Sequence, residues 1–229
     1  MPVGPAVAAP CNQVKSFKPE TLTTYELGFK SDLFDRRLRL NGALFFNKYN
    51  DIILTLTRCP GSPCLQPANV GKADVWGFEL ETLARPTENL SIDGSLSYIH
   101  FKYKDTGASG LPLTAVTPYT PKWNYSFGIQ YDIPIKPGTV SARFDGSYQS
   151  KMYTDAFNGP SNQIANRFLG NARLTFTSAD KDWQASLEVQ NLFNKYYYQT
   201  VEDAANAFGT ISASPGMLRT WSVSIKRSF

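Results

Sequence analysis

The chain has 229 residues, is 42% hydrophobic and 18% charged, and carries a formal net charge of +4. That length allows one sizeable domain or a large piece of one, and the basic residues are scattered, so no polybasic patch argues for nucleic acid. No run of about 18 apolar residues occurs, which excludes a transmembrane helix but not a membrane barrel, whose strands need apolar residues only at alternate positions.

The chain starts MPVGPAVAAPCNQ. A basic segment followed by an apolar stretch is lacking, so no signal peptide is expected at this start. Period-two alternation then takes over, the mark of strands with one apolar face. Tyr25, Leu27 and Phe29 alternate with Glu26, Gly28 and Lys30. Leu38, Leu40, Leu44 and Phe46 share one parity in a run expected to reach about Thr57. Trp76, Phe78 and Leu80 alternate with Gly77, Glu79 and Glu81. Leu90, Ile92, Leu96 and Tyr98 alternate with Ser91, Asp93, Ser95 and Ser97.

The clearest run is Trp123, Tyr125, Phe127, Ile129, Tyr131 and Ile133 against Asn124, Ser126, Gly128, Gln130 and Asp132. A helix would bring Trp123 and Phe127 together but throw Tyr125 aside, so only a strand separates the two sets. Val140, Ala142, Phe144 and Tyr148 follow, then Phe168, Ala172, Leu174 and Phe176, then Trp183, Ala185, Leu187 and Val189. Trp221, Val223, Ile225 and Phe229 close the chain. These runs predict about nine antiparallel strands, many of them longer than the usual five or six residues of soluble sheets.

The predicted connections alternate. Short turns fall near Phe34–Arg36, Pro86–Asn89, Pro134–Gly138 and Ser178–Asp182. Long loops fall near Arg58–Ala68, Lys104–Pro121, Thr154–Ala165 and Tyr198–Pro215. An up-and-down meander with short turns at one end and long loops at the other is the plan of an outer-membrane barrel. The 15 prolines all lie outside the strand interiors read here, as expected of a residue that cannot donate to a ladder. The apolar face carries Tyr49, Trp76, Tyr98, Tyr103, Trp123, Tyr148, Tyr153 and Tyr196 to Tyr198 near the long loops, and Phe176, Trp183 and Phe229 near the short turns. These suggest two aromatic girdles, or simply marked strand ends.

Candidate chemistry is sparse. Glu79, Glu81, Arg143, Asp145, Arg173 and Glu188 share the polar side and are expected to line the lumen of a wide barrel rather than to act as paired catalytic carboxylates. His100 is the single histidine, too little for a metal site or a triad. No cofactor and no enzymatic activity are expected. Cys59 and Cys64 sit in a Pro/Gly-rich loop and read as a short disulfide, with a metal pair as the rival; Cys11 has no evident partner.

Several segments resemble TonB-dependent receptors. Phe17–Ile52 resembles their Pro-Glu pair followed by a Tyr-Glu-x-Gly strand. Asn69–Glu81 resembles an Asn-x-Gly…Gly-x-Glu-x-Glu strand, the stretch from Thr117 to Ile133 a Pro-Lys strand start, Leu187–Tyr198 an Asn-Leu-Phe-Asn-Lys-x-Tyr strand, and the end a Gly-x-x-Arg strand closing in Phe. The resemblance runs from Phe17 to Phe229 in the family's order. It implies the last nine or so strands of a barrel of about 22 strands with a plugged lumen, forming an open curved sheet as an isolated chain.

On that resemblance residues 1–22 belong to an extracellular loop and 23–229 to the C-terminal barrel wall, so the chain is expected to begin mid-barrel. The long loops face the outside of a Gram-negative cell. Trp221, Val223, Ile225 and Phe229 form the strand that the barrel assembly machinery reads. The expected partners are outer-membrane lipid and that machinery, together with the parent's plug and preceding strands. TonB is reached only through an N-terminal region absent here. The implied function is active uptake of a ferric siderophore or similar scarce nutrient. The alternatives are a small self-contained pore or adhesin, or a secreted soluble all-β domain.

Overall fold

A computed structural model describes residues 16–57, 65–205 and 209–228. Among the described residues there are fifteen strands: β1 (Thr21–Leu33), β2 (Leu38–Asn50), β3 (Ile53–Thr57), β4 (Leu65–Asn69), β5 (Lys72–Ala84), β6 (Leu90–Asp105), β7 (Trp123–Ile135), β8 (Gly138–Gln149), β9 (Met152–Tyr153), β10 (Gln163–Ile164), β11 (Arg167–Ser178), β12 (Trp183–Gln190), β13 (Tyr198–Ala204), β14 (Thr210–Pro215) and β15 (Thr220–Arg227). Nine of them make one sheet in the order β1-β2-β5-β6-β7-β8-β11-β12-β15, and the other six make three two-stranded hairpins. Every pairing in the large sheet is antiparallel, so the chain meanders as expected.

Apart from a shift between Lys72 and Ala73 at the loop end of β5, register carries the alternation from strand to strand without a slip of face. Leu27 lies opposite Leu44, Leu44 opposite Phe78, and Phe78 opposite Tyr98. Tyr98 lies opposite Trp123, Ile129 opposite Phe144, Phe144 opposite Ala172, and Leu174 opposite Leu187, which meets Val223. One face is therefore apolar across all nine strands, and a slip of one residue would have broken it. Its side chains stand clear of the rest of the protein: Leu27 and Val223 are each 74% exposed and Leu44 is 59% exposed. An apolar face of that extent is not left to water.

The fully buried core lies elsewhere, at the long-loop end. Ile52, Leu56, Val70, Ala73, Tyr103, Leu111, Ala115 and Ala156 pack together, with Tyr49, Leu54 and Phe101 against them. Burial of side chains such as Ile52 and Leu56, 1% and 2% exposed, contributes roughly 1.5–3 kcal/mol each. Tyr49, Ala73 and Tyr103 have the parity of Asn41, Glu79 and Ser97. The long loops thus fold over the polar face and leave the apolar face bare.

Three expectations need correction. The β2 run stops at Asn50 rather than reaching Thr57, because Asp51 turns the chain at φ 52°, and β3 leaves to form its own hairpin with β4. Tyr49 and Tyr103 belong to the polar side and its loop core, not to an apolar-face girdle. Prolines do enter strands: Pro134 pairs with Thr139 near the end of β7, and Pro67 pairs with Thr55 in β4. Pro67 is tolerated because its hairpin has only two strands, leaving one side of each without a ladder.

Glycine is forced at several crowded points, two of them on β5 or at its start. A Cβ on Gly77 would lie 2.0 Å from the Tyr98 carbonyl oxygen and 2.8 Å from the Phe45 ring. Gly71, at φ +124°, would meet the Asp105 carbonyl oxygen at 2.0 Å, just where β5 enters the sheet beside the loop core.

Candidate functional site

Two features at the polar side could do chemistry with a partner. The first is a charged band on the sheet itself. Arg143 on β8 donates from Nε to Asp145 at 2.9 Å and from Nη2 to Asp93 of β6 at 3.0 Å. Arg173 on β11 donates from Nε to Glu188 of β12 at 2.9 Å. Arg143 and Arg173 are directly opposite each other, so each cation is held beside its own carboxylates rather than against a bare neighbour. Serine pairs continue the band, Ser95 with Ser126 at 2.8 Å and Ser186 with Ser224 at 2.7 Å.

Glu79 and Glu81 stand apart from the two arginines. They lie across from Ala43 and Asn41, and with Glu26 and Lys30 they line a cleft of 480 Å³. The structure thus joins Arg143 to Asp145 and Arg173 to Glu188, and puts Glu79 and Glu81 in a separate acidic patch. Asp93, a partner of Arg143, was not singled out in the sequence; its contact spans 50 residues, beyond any local signal.

The second feature is a cleft of 490 Å³ at the long-loop end. All four long connections contribute to it: Leu54 to Leu56 from β3, Pro118 and Tyr119 before β7, Thr154 to Phe157 with Asn162 between β8 and β11, and Thr200 to Asp203 from β13. Named bonds hold the loops to one another. Asn158 clasps Val116, donating from Nδ2 to its carbonyl at 3.0 Å and accepting from its N–H at 2.7 Å. The Tyr119 N–H donates to the Tyr153 carbonyl at 2.8 Å, and the Tyr119 and Thr200 hydroxyls are 2.7 Å apart.

Asn162, buried, accepts the Asp203 N–H at 2.9 Å, and Ser161 donates to the Asp203 carboxylate. Met152, Ile164 and Val201 pack beneath. The Ser161 hydroxyl, and then the Ala205 N–H, hold the Asp203 carboxyl below the usual carboxylate range. Sequence reading missed this cleft. Its one local sign is the Asn158-Gly159 pair, whose residue types suit a turn in a loop and mark nothing more.

Other candidate residues fall as follows. His100 stacks on Trp76, ring centroids 5.0 Å apart, within a cluster that joins Trp76, Tyr98 and Trp123 on the apolar face. Lys122 caps Tyr98 at 5.4 Å, and Arg227 lies over Trp183 at 4.9 Å at the opposite end. Cations above rings at both ends of an apolar band suit a headgroup level. Trp221, Val223 and Ile225 lie exposed on β15, an edge of the sheet. Cys11, Cys59, Cys64 and Phe229 lie outside the described residues. Among the described residues no cluster of three or more His, Cys, Asp or Glu side chains could hold a metal ion.

The link between β12 and β15 depends on a buried asparagine. Asn191, 5% exposed and at φ 51°, donates from Nδ2 to the Lys195 carbonyl at 2.9 Å and to the Met217 carbonyl at 3.1 Å. Its Oδ1 accepts the Lys195 N–H at 2.8 Å. One side chain thereby fixes both ends of the long connection.

Comparisons with known proteins agree with this architecture. The family model described as TonB dependent receptor-like, beta-barrel, matches residues 4–192. The ferric-pyoverdine M114 receptor PbuA of Pseudomonas sp. (strain M114) is 26% identical over 219 residues, 93% of this chain and 25% of that protein. The metal-pseudopaline receptor CntO of Pseudomonas aeruginosa is 38% identical over 85 residues, 37% of this chain and 11% of that protein. Among solved structures, the ferric yersiniabactin uptake receptor FyuA of Yersinia pestis superposes with a TM-score of 0.76 at 22% identity, covering 94% of this chain and 31% of that one. The chain thus spans about a quarter of the length of the first of these relatives.

Proposed function

Given that the chain belongs to the TonB-dependent receptor β-barrel family, we propose that its nine-stranded sheet is the C-terminal part of the wall of an active transporter for a ferric siderophore or a similar metal chelate. Proteins of this family are outer-membrane β-barrels of Gram-negative bacteria, and they are transporters rather than enzymes. The observation that carries the reading is the direction in which the long loops fold. They roof the polar face and leave the apolar face bare, which suits a wall with lipid on one side and a lumen on the other.

On this reading Glu79, Glu81, Arg143, Asp145, Arg173 and Glu188 face the lumen, where an interior domain meets them. Residues 1–22 lead into the wall from an outer loop, Thr21 and Leu22 already pairing in β1, and 23–229 are wall and loops. The loop cleft takes ligand from outside, and the chain itself catalyses nothing. Contact with TonB is made by a part of the receptor other than this stretch of wall. Trp221, Val223, Ile225 and Phe229 supply the strand the assembly machinery reads, and Cys59 and Cys64 close a disulfide in the first long loop.

A free-standing nine-strand pore is disfavoured, because β1 and β15 are the two ends of the sheet and do not pair. Deleting the gene for the full-length receptor and measuring iron-chelate uptake tests the proposal, with heat-modifiable gel mobility in outer-membrane fractions alongside. Loss of uptake of at least one chelate supports it; a full-length protein found in the soluble fraction would refute it.

A further inference from the structure

The inference concerns the charge of the ligand taken by the loop cleft, and it rests on the transporter reading above. The cleft has the volume of a small-molecule site, 490 Å³. Leu54, Leu56, Pro118 and Phe157 give it apolar walls, and Tyr119 adds a ring with a hydroxyl. Its charged lining has one sign: Asp155, Glu202 and Asp203 line it, and among the described residues no Lys or Arg does.

Neutral donors hold two of these carboxylates in place. Asp155 accepts the Gly159 N–H at 3.3 Å, and Asp203 accepts the Ala205 N–H at 2.9 Å as well as the Ser161 hydroxyl. Such bonds fix the oxygens without cancelling the charge. Three of the described cations at this end are engaged elsewhere. Lys104 pairs with Asp74 at 3.0 Å. Arg167 binds the Tyr198 carbonyl and Gln149 and covers the Tyr197 ring. Lys122 sits over Tyr98 on the apolar face.

We propose that this cleft selects a ferric chelate carrying a positive charge, such as a protonated amine, over anionic chelates. Three carboxylates with no ion pair among the described residues, set around a partly enclosed volume, attract a cation and repel a polyanion more strongly than they would in open water. The apolar walls receive the carbon skeleton, and Glu202, with Asp155 and Asp203, receives the ammonium group.

The test uses the full-length receptor in outer membranes and three ferric probes. One is a linear trihydroxamate with a free terminal ammonium, the second is its N-acetylated neutral counterpart, and the third is a tris-catecholate trianion. The expected result is about tenfold tighter binding of the ammonium form than of the acetylated form. That preference should fall to about twofold or less in the E202Q/D203N variant, whose amide oxygen at 203 still accepts the Ala205 N–H and whose amide nitrogen takes the place of the oxygen beside Ser161, where it can donate to the serine hydroxyl. E202Q alone should give an intermediate value and guards against a folding defect at 203. Equal binding of the two trihydroxamates, or preference for the trianion, overturns the inference and leaves the transporter reading standing. Binding and uptake of none of the three overturns both.

Discussion

Leu44 and Ala43 are chain neighbours on opposite faces of β2, which makes them a matched pair for testing which face meets lipid. Leu44 is the midpoint of the 13-residue strand Leu38–Asn50 and lies between Leu27 and Phe78. A strand of that length extends about 43 Å and, tilted as in membrane barrels, stands roughly 33 Å tall, so its midpoint falls near the middle of an apolar band about 25 Å high. Leu44→Arg would place a guanidinium there, at a cost of about 2–4 kcal/mol. At 1.4 kcal/mol per decade that is roughly 30- to 700-fold in the folding equilibrium. Ala43→Arg puts the same group opposite Glu79 on the polar side and should change stability by no more than about 0.5 kcal/mol. Urea titration of the full-length protein in lipid vesicles reads both. If Leu44→Arg is as benign as Ala43→Arg, the 59%-exposed Leu44 meets water, and the reasoning about the apolar face fails.

Four further outcomes are expected. Asn191→Ala removes three hydrogen bonds from a buried side chain and should cost about 2–3 kcal/mol, seen as faster proteolysis between β12 and β15. Gly77→Ala drives a methyl into the Tyr98 carbonyl and should lower the yield of heat-modifiable barrel, while Gly94→Ala, whose nearest atom would be 3.3 Å away, should leave most of it intact. Arg143→Ala leaves Asp93 and Asp145 without their cation; with the arginine side chain 30% exposed, the loss should be about 0.5–1 kcal/mol and should shrink at high salt. The Asp203 carboxyl is held below its ordinary value by Ser161 and the Ala205 N–H. Its support of the loop is therefore present above the unfolded-state value and lost as pH falls through the lower folded-state value. Hydrogen exchange of residues 154–164 should rise in that acidic window, and D203N should abolish the dependence.

Much of the wall was legible because a strand reports its own two faces every second residue. Trp123 through Ile133 sufficed to assign β7, and the same alternation located each of the nine strands of the sheet. What was not legible depends on distant contacts. Asp51 looked like part of a continuing strand, yet its positive φ splits β2 from the β3–β4 hairpin. Tyr49 and Tyr103 looked like girdle residues because aromatics near strand ends usually are; only the parity across β5 and the loop core reveal their other side. The loop cleft is built from bonds such as Tyr119 to Thr200, 81 residues apart, and no local pattern marks it. The charged band lies between these cases: its residues could be named from parity, but not which carboxylate each arginine would take.

The claim beneath all of this is that the apolar parity of the sheet contacts lipid while the polar parity bounds an aqueous space. A spin-label scan of single cysteines along Leu38–Asn50, in the full-length protein in vesicles, measures it directly. Oxygen should broaden labels at Leu40, Leu44 and Phe46, and a water-soluble nickel complex should broaden those at Asn41, Ala43 and Asn47. Equal access of the nickel complex to both sets, or the reverse assignment, would contradict the account.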